Sequence, residues 1–329
     1  MKNSKITIND IAESLGVSTI SVSRALSGQT GVSEELRRKI LEKSKELGYA
    51  KIKNNEDINI LVLHQKPYYQ DNTNFSYMVQ GVERNLQKTG TEYSIEFVDK
   101  ENQKSLYLPY KIAKGHRFDG VIFIGKFEKP YVEFINEKVK SFVFYTGYSP
   151  SYDYDSVWFN FNNGGYKQCE YLIKKGHKLI GFVGNKHSFK NREKLLGITT
   201  AMEDYGISIK EELFFDVDDN LEEKVEELIK CSEKPTAIIC QWDFTAMKLI
   251  KLLYEKGYKV PEDISVIGSG NSEMSALSIP GLTTLDLNIE YSCEAAVNLL
   301  IKRINNPLKP NENITINSNL IERDSVKSL

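Results

Sequence analysis

The sequence predicts an α/β protein in which an N-terminal all-α helix-turn-helix unit precedes a body of two doubly wound parallel sheets. Three short helices with clear start and stop signals fall within the first fifty residues. From Asn59 onward, short apolar runs alternate with amphipathic helical stretches, which is typical of buried parallel strands joined by crossover helices. At 329 residues the chain is longer than a usual single domain, so we expect a small module and a two-lobed body.

The three N-terminal helices are predicted from capping residues and apolar faces. Thr7 and Asp10 form a capping-box pattern, and Gly16 can end the first helix in a left-handed turn. Ser18 and Ser33 are placed to cap the second and third helices. The expected inward positions are Ile8, Ile11, Ala12 and Leu15, then Ile20 or Val22 with Ala25 and Leu26, then Leu36, Ile40 and Leu47. We expect the second helix to close at Ser27-Gly28 and the third at Gly48.

Positive charge is concentrated in this unit. The whole chain is nearly neutral, with 43 basic against 45 acidic side chains. The basic residues of the unit are Lys2, Lys5, Arg24, Arg37, Arg38, Lys39, Lys43, Lys45, Lys51 and Lys53. A basic face neutralises DNA phosphates, and a small polar second helix fits a major groove. The alternative is a three-helix surface cap with solvated lysines.

The segment "ITINDIAESLGVSTISVSRALSGQTGVSEELRRKILEKSKELGY" resembles the DNA-binding headpiece of the lactose/galactose-repressor (LacI/GalR) family of bacterial transcription regulators. The resemblance implies that the second helix is the recognition helix, with Arg24 at a base edge. Arginine can bind guanine bidentately, and Thr19 or Ile20 can contact a thymine methyl group. The expected DNA-contacting residues are Thr7, Ser18, Thr19, Ile20, Ser21, Ser23, Arg24, Ser33, Lys51 and Lys53.

The body also resembles this family, through segments such as "FDGVIFIG", "YLIKKGHKLIGFVG", "KGYKVPEDISVIG", "IPGLTTLDL" and "NLIERDS". The resemblance implies a periplasmic-binding-protein-like effector domain with a ligand between two hinged lobes. The expected domains are the headpiece with a short linker at 1–57 and the effector domain at 58–329. The expected lobes are about 58–160 with 291–320, and about 161–290 with 321–329.

The effector is expected at the carboxyl ends of the strands, where doubly wound lobes bind ligands. Position matching with the family implies that the cleft is lined by Phe75, Asn160, Lys194, Trp242, Asp243 and Ser269, with Arg192 as a further cation. Alternatives stay open: Phe75 in the core, Asp243 capping a helix that begins at Phe244, and Lys194 on a solvated face.

Three cleft positions depart from the family pattern. Lys194 stands where the family usually has arginine, Trp242 where it has asparagine, and Gly270 where it has a carboxylate. On a helix, Arg192 would point about 200° away from Lys194. Because an indole face can stack on the apolar side of a pyranose ring, we expect a sugar effector. The alternative for Trp242 is a core position under the following helix.

The linker "YAKIKNNEDINILVL" is shorter than is usual in the family and lacks the pattern of a hinge helix that enters the minor groove. Asn54, Asn55, Glu56 and Asp57 are poor helix formers. We therefore expect a flexible tether between headpiece and body.

Other classes find little support in the sequence. "GSGNSE" carries Glu273 where a dinucleotide fingerprint needs its third glycine, and the spacing of histidines and cysteines implies no metal and no cofactor. The four cysteines are expected to be reduced and buried, and the protein to be cytoplasmic.

We therefore expect a DNA-binding regulator, a repressor of sugar or glycoside utilisation genes, that acts as a homodimer on near-palindromic operator DNA. The alternatives are a DNA-binding protein with a vestigial or non-sugar pocket, and a sugar-binding module or enzyme with a fused basic cap. The sequence leaves open which effector binds, whether it induces or co-represses, and whether dimers pair into tetramers.

Overall fold

A computed structural model describes residues 6–26, 30–47, 55–65, 74–147, 153–217 and 220–329. The N-terminal unit contains α1 (Ile8–Leu15), α2 (Thr19–Leu26) and α3 (Glu34–Glu46). The predicted start and stop of the first helix are confirmed, because Thr7 and Asp10 form a capping box and Gly16 is left-handed, with φ 64°. The predicted ends at Ser27-Gly28 and Gly48 lie outside the described residues.

The three helices share a small apolar core. Ile11, Val22 and Ile40 are fully buried at its centre. Of the two alternatives for the second helix, Val22 faces inward, whereas Ile20 is 62% exposed. A large apolar side chain is thus left on the outer surface of α2.

The body alternates strands and helices. Its strands are β1 (Asn59–His64), β2 (Glu92–Phe97), β3 (Gly120–Ile124), β4 (Phe142–Tyr145), β5 (Asp155–Phe159), β6 (Ile180–Gly184), β7 (Phe214–Asp216), β8 (Ala237–Cys240), β9 (Ser265–Ile267), β10 (Thr284–Asp286), β11 (Asn313–Ile316) and β12 (Asn319–Ile321). Its helices are α4 (Phe75–Thr89), α5 (Lys100–Lys104), α6 (Tyr110–Ala113), α7 (Lys129–Asn136), α8 (Phe161–Lys174), α9 (Phe189–Asp204), α10 (Leu221–Lys230), α11 (Asp243–Glu255), α12 (Glu273–Leu277) and α13 (Ile289–Asn305).

Ten of the strands in the described part of the chain form two parallel sheets. The first has the order β11-β5-β4-β3-β1-β2 and the second the order β7-β6-β8-β9. We call each sheet with the helices packed on it the first lobe and the second lobe. Alternate residues of β1 enter separate cores on the two faces of the first sheet, Ile60 and Val62 on one and Leu61 and Leu63 on the other. Because both faces are covered, the strand is a continuous apolar run.

α13 returns the chain to the first lobe and packs against α4. Cys293 of α13 approaches Gly81 of α4 so closely that a Cβ at residue 81 would lie 2.6 Å from the cysteine sulfur. A buried ion cluster fixes the end of α13, where Asp155 accepts hydrogen bonds from Arg303 (2.7 and 2.9 Å) and from Lys309 (2.7 Å). Burial alone would raise the pKa of Asp155, but these hydrogen bonds outweigh it and lower that pKa.

Within the described residues the chain crosses between the lobes at three points, and asparagines at these crossings are hydrogen-bonded to one another. Asn160 follows β5, Asn288 precedes α13, and Asn317 lies between β11 and β12. Asn160 donates a 2.9 Å hydrogen bond to the side chain of Asn317, and Asn288 donates a 2.8 Å bond to the Asn317 carbonyl. β10 and β12 pair antiparallel beside them. These segments form the hinge region of the body.

The cysteine expectation needs one correction. Cys169, Cys240 and Cys293 are buried free thiols, and burial raises the pKa of Cys169 and Cys293 to about 12. Cys231 is only half-buried, because it follows the end of α10. Within the described ranges, no helix is long and apolar enough to cross a membrane.

Candidate DNA interface and effector cleft

The outer face of α2 presents a compact set of side chains. Thr19, Ile20, Ser23 and Arg24 are exposed there, whereas the opposite face packs in the three-helix core. Their spacing of i, i+1, i+4 and i+5 places them on one side of a helix. This face combines methyl groups, hydroxyls and a guanidinium, which are groups that read base edges in a major groove.

Neighbouring side chains hold α2 in place. The Ser18 hydroxyl accepts a 3.1 Å hydrogen bond from the amide of Ser21, so Ser18 caps the helix as predicted. At the other end, Arg37 of α3 donates to the carbonyls of Arg24 and Ala25 at 3.3 and 3.0 Å. A cation at a helix C-terminus also complements the helix dipole.

The remaining predicted DNA contacts fall into two groups. Thr7 and Ser33 cap α1 and α3, since Asp10 and Leu36 donate their amides to the two hydroxyls. Lys51 and Lys53 lie outside the described residues.

A cavity of about 340 Å³ lies between the lobes, beside the carboxyl end of β9. Asn74 and Tyr77 line it from the first lobe, and Trp242, Asp243 and Ser269 line it from the second. Three residues of the predicted effector set thus meet at this cavity. Its walls are the strand ends at which doubly wound lobes bind ligands.

Lys194 points into the second lobe. Its ammonium group donates hydrogen bonds to the Ser269 hydroxyl at 2.6 Å and to the carbonyls of Gln241 and Cys240 at 3.0 and 3.5 Å. The solvated alternative for Lys194 is therefore wrong. Because burial disfavours the charged form, it lowers the pKa of Lys194 to about 7.

Asp243 also serves the interior of the second lobe. One carboxylate oxygen accepts a 2.5 Å hydrogen bond from the Thr284 hydroxyl, and the other accepts a 2.7 Å bond from the Ser272 amide. α11 begins at Asp243 itself, so the alternative that Asp243 caps a helix starting at Phe244 is wrong. The carboxylate ties α11 to the segment that follows β9.

Aromatic rings from both lobes meet in the cleft. Trp242 packs against the first-lobe core, with its ring edge-to-face on Phe161 at 6.0 Å. Trp158 of β5 stacks on Phe189 of α9 at 5.5 Å. The ammonium of Lys190 lies 5.9 Å from the Trp242 ring centre, and that of Lys194 lies 5.7 Å from it. Cation–π attraction favours these contacts.

The other predicted effector residues are dispersed. Phe75 is buried in the first-lobe core, and Arg192 is exposed on α9, on a different side from Lys194. Asn160 caps α8, accepting from the Asn163 amide at 3.1 Å, while its amide group bonds Asn317 in the hinge region. Whether these residues contact an effector stays a prediction.

Comparison with known proteins connects this architecture to a family. Residues 7–51 match the model described as bacterial regulatory proteins, lacI family, and residues 169–326 match a periplasmic binding protein-like domain. The HTH-type transcriptional repressor PurR of Mannheimia succiniciproducens is 28% identical over 341 residues, which cover 98% of this chain and 99% of the relative. The N-terminal unit is therefore a lacI-family domain of bacterial regulatory proteins, and the body contains a periplasmic binding protein-like domain.

Solved structures support the lacI-family fold over the full length. A CelR transcriptional regulator in complex with cellobiose has a TM-score of 0.70 at 22% identity, covering 98% of this chain and 100% of the other. The lac repressor dimer bound to operator and the anti-inducer ONPF has a TM-score of 0.69 at 20% identity, with the same coverage. The predicted fold is confirmed, and the chain is a DNA-binding transcription regulator. Because its relatives are regulators, the enzyme alternative is set aside.

The sequence analysis missed several residues that lie at the cleft. Asn74, Phe161 and Phe189 lie at contacts across or beside the cleft, and Gln168 donates hydrogen bonds to Ser269 and to the Gly268 carbonyl. Phe161 and Phe189 are the first residues of helices that follow strands. Because doubly wound lobes bind ligands at the carboxyl ends of their strands, the sequence could have predicted both residues at the cleft. Buried Gln168 lies within α8 and carries no such signal.

Proposed function

We propose that this regulator represses transcription by binding near-palindromic operator DNA as a homodimer, under the control of a small effector bound between the lobes. The exposed face of α2 carries the proposal, because Ile20 is 62% exposed beside Arg24 while the opposite face of the helix packs in the three-helix core. An apolar side chain in that position finds a partner in the thymine methyl groups of a major groove.

We also propose where the two domains begin and end. The headpiece and linker take residues 1–57 and the effector domain residues 58–329. Two observations support this division. The body begins at the apolar strand β1, and the chain passes from one lobe to the other at Asn160, Asn288 and Asn317.

An exposed apolar surface on the second lobe supports the homodimer. Tyr254 is 77% exposed and Ile279 is 94% exposed, and both line a groove of about 580 Å³ with Met247, Ile250 and Tyr258. Apolar patches of this kind mark association sites. A two-fold homodimer carries two headpieces, which matches the two half-sites of a palindrome.

The proposed mechanism is linkage between two binding equilibria. An effector that prefers one arrangement of the lobes shifts the protein toward that arrangement by its differential affinity for the two. If only one arrangement lets both headpieces reach their half-sites, effector binding changes operator affinity. The same scheme describes induction and co-repression.

We propose a sugar as the effector. Trp242 offers an indole beside a cavity that Asn74, Ser269 and Ser272 also line, and polar groups with one aromatic face suit a pyranose. A second candidate is a flat heteroaromatic base, which the aromatic side chains of Trp158, Phe161, Phe189 and Trp242 also favour.

A thermal-shift screen tests the effector proposal. A ligand that binds only the native protein raises the melting temperature, so mono- and disaccharides, phosphorylated sugars and purine bases are compared at equal concentration. A shift with a sugar, followed by a changed operator affinity in a gel-shift assay, supports the proposal. No shift with any of them, together with intact operator binding, would indicate a vestigial pocket.

A further inference from the structure

Asn74 makes a direct hydrogen bond between the two lobes. Its side-chain amide donates to the carbonyl of Gly270 at 2.6 Å, and the bond is buried. Asn74 occupies the N-cap position of α4, where an asparagine side chain ordinarily accepts a hydrogen bond from its own helix. Here the side chain makes no such bond, and the backbone is left-handed with φ 62°. The asparagine is therefore used across the cleft instead of for its helix.

Gly270 is shaped to receive this bond. Its φ of 130° lies in a region that glycine adopts readily and other residues do not. A Cβ at residue 270 would lie 3.0 Å from the Asn74 amide nitrogen. The Gly270 amide donates to the Leu285 carbonyl at 2.8 Å, and the Asn271 amide, which shares a peptide group with the Gly270 carbonyl, donates to the Thr284 hydroxyl at 3.4 Å.

A second contact joins the lobes elsewhere. Trp158 lies on β5 of the first lobe, and its ring stacks on Phe189, the first residue of α9 in the second lobe. In the first sheet, β3 and β4 separate β5 from β1, the strand before Asn74. In the second sheet, β8 separates β6, the strand before Phe189, from β9, the strand before Gly270. Two contacts on separate strands oppose opening of the lobes more than one does.

We propose that the Asn74–Gly270 hydrogen bond and the Trp158–Phe189 stack form a latch that holds the two lobes together without an effector. An effector that favours open lobes must break both contacts, whereas one that favours closed lobes enters a nearly formed site. This consequence for regulation rests on the proposed function. The latch itself does not, and it is measurable in the free protein.

Variants at Asn74 test the latch. Asn74→Asp keeps the size of the side chain but removes the donor, and Asn74→Gly removes the side chain without adding charge; both residue types tolerate a left-handed backbone. Loss of one hydrogen bond is expected to raise the ratio of open to closed lobes about fivefold. Small-angle X-ray scattering then gives a larger radius of gyration than that of the wild type.

The tryptophans provide a second readout. The chain has only Trp158 and Trp242, and both lie at the cleft, so opening exposes them to acrylamide. Asn59→Asp is the matched control, because the Asn59 amide donates a 3.0 Å bond to the Arg117 carbonyl within the first lobe. The latch predicts stronger quenching in both Asn74 variants and wild-type quenching in Asn59→Asp.

Circular dichroism shows whether the Asn74 variants fold. If one does not, Phe189→Leu still tests the proposal, because it removes the aromatic stack with Trp158. It is expected to open the lobes further when combined with Asn74→Gly. The proposal is overturned if the folded variants match the wild type in radius of gyration and in acrylamide quenching. It is also overturned if Asn59→Asp increases both quantities as much as the Asn74 variants do. These measurements contain neither DNA nor effector, so a failure of operator or effector binding would leave their outcome unaffected.

Discussion

The ammonium group of Lys194 lies 2.6 Å from the hydroxyl of Ser269, in the interior of the second lobe. All three of its donors have acceptors there, the other two being the carbonyls of Gln241 and Cys240. The sequence predicts that Lys194 contacts the effector. In the structure its ammonium group instead connects the residues that follow β8 with those that follow β9.

Replacing Lys194 by methionine should change the pH dependence of stability. The folded-state pKa of Lys194 is about 7, below that of an unfolded lysine, so the unfolded chain binds more protons between pH 7 and pH 10. The wild type should therefore gain stability over Lys194→Met by up to about 1.4 kcal/mol per pH unit in this range. Urea unfolding at pH 7, 8 and 9 measures the difference, and an equal dependence of the unfolding free energy on pH in the two proteins would contradict the lowered pKa of Lys194.

Arg24→Ala should reduce discrimination between operator sequences. Loss of a bidentate arginine–guanine contact costs about 1–3 kcal/mol at one base pair. Competition binding against operators that differ at single positions identifies that base pair. Arg192→Ala removes an exposed arginine from the second lobe and should leave operator binding unchanged. Unaltered sequence preference in Arg24→Ala would refute the assignment of this arginine to a base edge.

Trp242→Ala should abolish the response to effector while free-protein operator binding stays nearly intact. The indole lies at the cleft, and the headpiece has its own core. Effector titration should also change tryptophan fluorescence in the wild type and in Trp158→Phe, which isolates the signal of Trp242. A Trp242→Ala protein that responds with an unchanged midpoint would show that the indole only packs against the first lobe.

Asp155→Asn should destabilise the first lobe by about 3–5 kcal/mol, because it removes the buried carboxylate that pairs with Arg303 and Lys309; Lys309 keeps a second carboxylate partner, Glu312, at 2.9 Å. The folded pKa of Asp155 is lowered, so its stabilising effect is present above the unfolded pKa and is lost as pH falls through the folded pKa. Urea unfolding at pH 7 and at acidic pH should show the gap between wild type and variant closing in acid. Asp153→Asn, on an exposed neighbour, is the control and should change stability little.

The amino-acid sequence by itself determined the helices of the headpiece and the α/β body. The start of α1 is marked by Thr7 with Asp10, and its end is marked by Gly16. The apolar run of β1 identifies a strand that is covered on both faces. Caps, left-handed turns and hydrophobic periodicity act over less than about two helical turns, so they can be read along the chain.

The tertiary structure alone decided what the cleft residues do. Lys194 turns inward to Ser269, which is 75 residues away, and Asn74 meets Gly270 across 196 residues. Neither pairing leaves a trace in local periodicity, because each depends on how two sheets and their hinge bring distant loops together. The orientation of a side chain between the lobes depends on how strongly it is desolvated there and on which hydrogen-bond partners are within reach. Both are defined only after the chain has folded.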